Sequence, residues 1–331
     1  MNIFNQNHTI YVAGSEGMVG SAICRLLKKK GYDDNRKKFI TTSRKQLDLR
    51  DSEKVEDWFN KNKPDIVIIA AAKVGGILAN KEQPVEFLLD NLKIQTNLIE
   101  QSYKFGVKRL LFLGSSCIYP KFANQPIKES YLLTDHLETT NEYYAIAKIA
   151  GLKLCEALRR QYNFDAITLM PTNLYGPKDN YDQKNSHVMA SLIRKFYEAK
   201  KDNKKKVICW GTGRPLREFL YVDDLAEACL FTLENWYPSR ENSPSNNIGD
   251  PLPWLNIGSG YEISIFDLAK KISNIIGYKG EIYWNHNMPD GTPRKKLDIT
   301  HINNLGWFAK TTLENGIKNS IYAFENENNF I

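Results

Sequence analysis

Two kinds of apolar pattern alternate along the first half of the chain. Short, near-continuous apolar runs lie at 9–14, 39–43, 64–70, 108–114 and 165–170. Between them, apolar residues recur with helical period at 18–30, 51–62, within 84–105, and around residues 141–148. The first kind reads as strand buried on both faces, and the second as amphipathic helix. Strand and helix in strict alternation predict a doubly wound parallel sheet, a Rossmann-type α/β fold. Beyond Gly176 the pattern loosens. A helix is expected at 186–199, a short strand near 207–210, a capped helix at 223–234 and an exposed Pro-, Asn- and Ser-rich loop at 237–253. The tail beyond 257 is expected to hold two helices and a short strand. These shifts predict a nucleotide domain over 1–172 plus about 221–257, and a smaller, mostly C-terminal α/β substrate lobe over 173–220 and 258–331.

The first strand ends in glycine, and Gly14, Gly17 and Gly20 follow at three-residue spacing before a helix that stops at Gly31. Strand, glycine turn and helix form a phosphate cradle. Glycine admits close backbone approach, and the helix start offers unpaired N–H groups and the positive end of a dipole. Gly14, Ser15, Glu16, Gly17, Met18, Val19 and Gly20 are therefore expected to hold a dinucleotide. After the second strand, where an NAD site usually carries an acidic residue, the chain reads Ser43-Arg44-Lys45. A guanidinium at Arg44 suits a 2′-phosphate and points to NADP(H). Glu16, inside the glycine loop, points the other way. Asp48 and Leu49 are candidates for the adenine edge. In a parallel sheet ligands gather at the C-terminal strand ends. Ala71, then Leu113, Gly114, Ser115 and Ser116, and then Pro171, Thr172, Asn173 and Leu174 occupy such ends.

The stretch 141–148 carries Tyr144 and Lys148, four positions apart and so on one helix face. A phenol exchanges protons poorly at neutral pH. An ammonium beside it is expected to stabilise the phenolate and lower its pKa. With Ser115 at a strand end, the trio forms a site for moving a proton to or from a substrate oxygen.

Composition narrows the class. The chain has 331 residues, 42% hydrophobic and 25% charged, an ordinary globular balance. The net charge of +7 is spread out, and the basic run at 200–206 has no interleaved aromatics, so nucleic-acid binding is not expected. Five scattered cysteines, with no Cys-x-x-Cys, argue against a disulfide framework or a metal site and for a reducing compartment. No apolar run has the length of a membrane span and no signal-peptide pattern is seen, so the chain reads as cytoplasmic.

The glycine spacing and the Ser115, Tyr144, Lys148 trio resemble the extended short-chain dehydrogenase/reductase family of sugar-nucleotide enzymes. Segments 17–22, 70–77, 114–120, 144–151, 170–177, 185–188, 217–220 and 289–295 are similar to the branch that epimerises and reduces GDP-4-keto-6-deoxy-mannose. The resemblance spans nearly the whole chain. It implies proton removal and return at C3 and C5, with Cys117 as base and His187 as acid, and then hydride transfer to C4 with Tyr144 as proton donor. It also places His187 beside the cofactor. Lys195, Trp210, Arg217 and Asp290 become GDP-sugar contacts, and a homodimer built on helices near 84–105 and 140–162 is expected. From the residues alone, packing is the ordinary role of a lone cysteine, but the place of Cys117 two residues after Ser115 at a strand end favours the pocket, whereas His187 could equally be a capping or surface group, Trp210 a core residue and Asp290 a turn residue. The glycine loop departs from the family, which usually reads Gly-His-Arg-Gly where this chain has Gly14-Ser15-Glu16-Gly17. Two other functions fit the same architecture: conversion of a related GDP-4-keto-6-deoxy sugar, such as a heptose or a colitose precursor, or a non-catalytic nucleotide sensor.

Overall fold

The computed structural model describes residues 8–32, 39–182, 186–288 and 290–327. Asn185 and Pro289, each part of a segment quoted above, lie outside the described residues. In chain order the first half runs β1 (Ile10–Ala13), α1 (Met18–Lys29), β2 (Phe39–Thr41), α2 (Ser52–Asn62), β3 (Ile66–Ile69), α3 (Ile77–Glu82), α4 (Pro84–Lys104), β4 (Arg109–Leu113), α5 (Glu142–Tyr162) and β5 (Ala166–Pro171). It continues through β6 (Asn173–Tyr175), α6 (Val188–Lys201), β7 (Lys206–Trp210), β8 (Leu216–Tyr221), α7 (Val222–Asn235) and β9 (Trp254–Ile257). The remainder is β10 (Glu262–Ser264), α8 (Ile265–Ile276), β11 (Glu281–Asn285), β12 (Arg294–Lys295), α9 (Thr300–Asn304) and α10 (Leu313–Glu327).

The main sheet is parallel throughout, with order β2-β1-β3-β4-β5-β9. Its central strands β1, β3, β4 and β5 are wholly buried, which is why they read as unbroken apolar runs. Residues of α1, α7 and α9 pack on one face. Those of α2, α4 and α5 pack on the other. The chain leaves β1 toward β2 on one side and returns to β3 on the other, so a crevice opens at the C-terminal ends of β1 and β3. The predicted doubly wound sheet is the one observed. It gains an edge strand, β9, that the apolar pattern did not single out.

A third cluster gathers α6, α8 and α10 around β7 and β8. There β8 pairs with β6, β10 and β12. The tail beyond 257 holds three strands and three helices among the described residues, against the two helices and one strand expected. The extra strands β10 and β12 are three and two residues long. Each is defined by its pairing with distant β8, so local period carries no trace of it.

Helix α5 must lie close to the sheet and to α4, because it carries Tyr144 and Lys148. Gly151 allows this. A Cβ there would lie 2.7 Å from the Phe112 ring and 2.8 Å from the Gln95 side chain. Gly151→Val should therefore destabilise the protein by about 2 kcal/mol or more through overpacking, read as a lower urea midpoint at unchanged m-value. An unchanged midpoint would mean that α5 can move outward freely.

Candidate active site

The glycine loop starts where β1 ends. Gly14 has φ +86°, and a Cβ on it would lie 2.6 Å from backbone atoms of Ala71. Loop and β3 end are thus pressed together, and only glycine fits. Gly17 N–H closes the turn on the Gly14 carbonyl at 3.2 Å. A Cβ on Gly20 would strike that same carbonyl at 2.1 Å, so α1 sits directly against the loop. The start of α1 carries no side-chain cap. Its first N–H groups and the bare glycine backbone fit a pyrophosphate. Arg44, exposed after β2, lies beside this loop, its N–H donating to the Glu16 carboxylate at 3.4 Å. Asp48 is engaged elsewhere: Arg50 holds it at 2.7 Å and also reaches Asp90, which drops the Asp48 carboxyl to about 2.

Strand β4 ends at Leu113, and a short 3-10 turn, Ser116–Ile118, follows. Ser115 caps this turn, its hydroxyl oxygen accepting from the Cys117 N–H at 3.2 Å. Tyr144 and Lys148 project from α5 toward the same strand end. Lys148 is buried, and its ammonium donates to the Leu113 carbonyl at 2.8 Å. It lies 5.9 Å from the Tyr144 ring centre. The expected lowering of the Tyr144 pKa is not what the structure shows. Burial raises the phenol well above its ordinary value, the Cys117 charge adds to this, and a hydrogen bond with Ser115 only partly opposes it. Burial also pulls Lys148 down to about 7. Both groups are enclosed, and enclosure disfavours the charged form of each. Tyr144 is therefore a neutral phenol at neutral pH.

Cys117 has the opposite fate. Burial alone would raise its thiol, but the Lys295 ammonium, the Ser115 hydrogen bond and the Arg217 charge together bring it below its ordinary value. Lys295 Nζ donates to Cys117 Sγ at 3.3 Å, and Asn141 Nδ2 does so at 3.3 Å. Asn141 Oδ1 is buried with no hydrogen-bond partner. Lys295 stands on β12, paired in register with Arg217 on β8. His187 precedes α6 and is reachable by solvent, yet enclosure of the ring and the Lys295 charge lower its pKa. One ammonium thus acts on both the thiol and the imidazole. Glu138, held by Lys121 at 3.0 Å, closes the far wall.

Among the other expected contacts, Pro171 ends β5, and Thr172 and Asn173 both donate to the Glu218 carbonyl, at 3.2 and 2.8 Å, with Leu174 following in β6. Lys195 donates to the Ile208 carbonyl at 3.2 Å and lies 5.4 Å over the half-exposed Trp210 ring. Trp210 is a surface group and not core. Asp290 spends both carboxylate oxygens on Thr212, on its N–H at 2.7 Å and its hydroxyl at 2.8 Å, so it fastens a turn. Sequence reasoning missed Lys295 and Asn141 as site residues. Both sat inside quoted segments, but Lys295 is 178 positions from the cysteine it contacts.

Residues 10–249 match the model of the NAD dependent epimerase/dehydratase family. The chain belongs to that family. Among curated members it is 51% identical to GDP-L-fucose synthase 1 of Arabidopsis thaliana, over 93% of this chain and 90% of that one. Among solved structures it is similar to a GDP-6-OMe-4-keto-L-xylo-heptose reductase from C. jejuni, with TM-score 0.90 and 34% identity over 98% of this chain and 99% of that one. It also matches a GDP-L-fucose synthetase from Naegleria fowleri bound to NADP, with TM-score 0.85 and 27% identity over 98% and 95% of the two chains. For an epimerase/dehydratase-family crevice, the glycine cradle and the strand ends described above fit a dinucleotide.

The electrostatics predict a pH response. Thiolate is the reactive form, and it is lost as pH falls through the Cys117 pKa. Because that pKa is lowered, alkylation of Cys117 by iodoacetamide should persist to lower pH than for an ordinary thiol. Lys295→Met should move the alkylation profile to higher pH and slow the reaction at pH 7 several-fold. A profile that does not move would leave Lys295 without electrostatic influence on Cys117.

Proposed function

We propose that this chain is a bifunctional NADPH-dependent 3,5-epimerase/4-reductase that converts GDP-4-keto-6-deoxy-D-mannose to GDP-L-fucose. The observation that carries the reading is the meeting of two proton-moving sets in one crevice. Ser115, Tyr144 and Lys148 form a reductase set, and Cys117 and His187 both lie within reach of the Lys295 charge. The full-length likeness to the Arabidopsis thaliana GDP-L-fucose synthase supports the sugar, and the NADP-bound relative supports the cofactor.

In the epimerisation, Ser115 and Tyr144 donate hydrogen bonds to the C4 carbonyl oxygen and stabilise the enolate. Cys117, as thiolate, removes the proton from C3 or C5. His187, when protonated, returns one on the opposite face. Lys295 keeps the thiolate available. Lys148 donates to the Leu113 carbonyl, and its assigned role is to hold the nicotinamide ribose. In the reduction, bound NADPH supplies hydride to C4. Tyr144, held neutral by burial, gives its proton to the C4 oxygen. Gly14, Ser15, Gly17 and the start of α1 hold the pyrophosphate, and Arg44 takes the 2′-phosphate. Arg217 faces the sugar diphosphate, and Trp210 with Lys195 offers a stacking surface for the base. Asp290 acts through the turn it fastens.

We further propose a cytoplasmic homodimer. The cysteines are all free thiols, and among the described residues no helix is long and apolar enough to cross a membrane. Val85 and Leu89 on α4, with Tyr143 and Ile146 on α5, expose apolar surface on adjacent helices, which suits a bundle interface.

The test is a product assay in heavy water with GDP-4-keto-6-deoxy-mannose and NADPH, read by NMR. GDP-L-fucose carrying deuterium at C3 and C5 is expected. Reduction without inversion would make the chain a plain 4-reductase, and no turnover would reject the sugar. Tyr144→Phe should lower reduction at least a hundredfold while nucleotide still binds. Cys117→Ser should stop deuterium incorporation yet leave hydride transfer to a pre-epimerised ketone. Wild-type exchange in that variant would remove Cys117 as the base.

A further inference from the structure

The glycine loop carries a carboxylate at the edge of the crevice that reads the cofactor's adenosine ribose. Strands β1 and β2 pair in parallel, with Val12 beside Thr41, so the segments that follow them run side by side. The turn after β2 is fixed by its own bonds. Ser43 N–H donates to Gln46 Oε1 at 2.9 Å, Gln46 N–H returns to the Ser43 hydroxyl at 3.3 Å, and Leu47 N–H reaches the Ser43 carbonyl at 3.0 Å. This turn presents the Arg44 N–H to the glycine loop, where Glu16 Oε2 accepts it at 3.4 Å. Glu16 and Arg44 are both exposed. Two opposed signals therefore meet at the end of β2. A carboxylate there accepts a hydrogen bond from a ribose 2′-hydroxyl, and a guanidinium there pairs with a 2′-phosphate.

We propose that Glu16 sets the 2′ selectivity of this pocket and holds it low, so that NADH serves alongside NADPH. Glu16 takes the N–H that a 2′-phosphate oxygen would accept, and its negative charge stands beside a group that is itself an anion. With NADH bound, the same oxygen accepts from the 2′-hydroxyl. Arg44 is the counterweight that keeps NADPH competitive. The proposal rests on the reading of the crevice as a nicotinamide dinucleotide site, and not on which sugar is converted.

The test is a binding titration of NADPH, NADH, 2′-phospho-AMP and AMP against the full chain without sugar, followed by protein fluorescence and calorimetry. The wild type should bind NADH and NADPH within about tenfold of each other. Glu16→Gln should tighten NADPH and 2′-phospho-AMP roughly tenfold, with AMP unchanged. Arg44→Ala should weaken the 2′-phosphorylated ligands alone. A wild-type preference for NADPH of about a hundredfold or more overturns the proposal. A selectivity ratio that moves less than about twofold in Glu16→Gln overturns it as well. Failure of the sugar assay with intact binding would reject the proposed substrate and leave this inference standing. Absence of binding by all four ligands would remove both.

Discussion

The contact between Lys295 Nζ and Cys117 Sγ, at 3.3 Å, ties the C-terminal part of the chain to the main sheet, and the proposed chemistry depends on it. Cys117 is placed by the main sheet, at the turn that ends β4. Lys295 arrives from the other end of the chain on the two-residue strand β12. What holds β12 there is a set of backbone bonds. It pairs with β8 in register, Ile127 N–H donates to the Lys296 carbonyl at 2.8 Å, and Asp298 N–H donates to the Ile127 carbonyl at 2.8 Å. Glu218, fully buried on β8, accepts from the Leu297 N–H at 3.0 Å and from the Gly260 N–H at 2.7 Å. A buried carboxylate is tolerated only when so satisfied. Its cost is met by tying three separated segments to one another.

The crevice sorts its titratable groups by one rule. Where a group is enclosed without an opposite charge, burial decides, and its charged form is disfavoured. Tyr144 and Lys148 follow this pattern. Where a cation stands within contact, charge overrides burial, as at Cys117. Burial lowers His187, and the same cation adds to this, because a second positive charge beside Lys295 is disfavoured. A neutral phenol beside a thiol of lowered pKa suits the proposed division between a donor to oxygen and an acceptor from carbon.

Much of this was legible in the sequence, for identifiable reasons. The strands of the main sheet are buried on both faces, so their runs are continuous and hard to misread. The Gly14 turn was legible because only glycine tolerates its φ and its contact with Ala71. Tyr144 and Lys148 were legible because a helix makes four-residue neighbours share a face. The raised pKa of Tyr144 was not, since it depends on burial by tertiary packing, in which Phe87 of α4 meets its ring edge-on. Strands β10 and β12 were not legible either, because pairing with β8 defines them. Lys295 became a site residue only through that pairing.

Cys117 follows Ser115 by two residues on a single rigid turn, and this proximity explains how two reactions could share one pocket. The serine hydroxyl that caps the turn accepts from the Cys117 N–H. In the proposed mechanism, a ketone oxygen held by Ser115 and Tyr144 therefore lies a short step from the Cys117 sulfur. Polarising that oxygen acidifies the neighbouring carbons and also readies C4 for hydride. A single binding event can thus serve both steps, with no need to move the sugar between sites. In the proposed mechanism, the segments that carry Lys295 and His187 supply what the main sheet lacks, which is control over the proton on sulfur and an acid to face it.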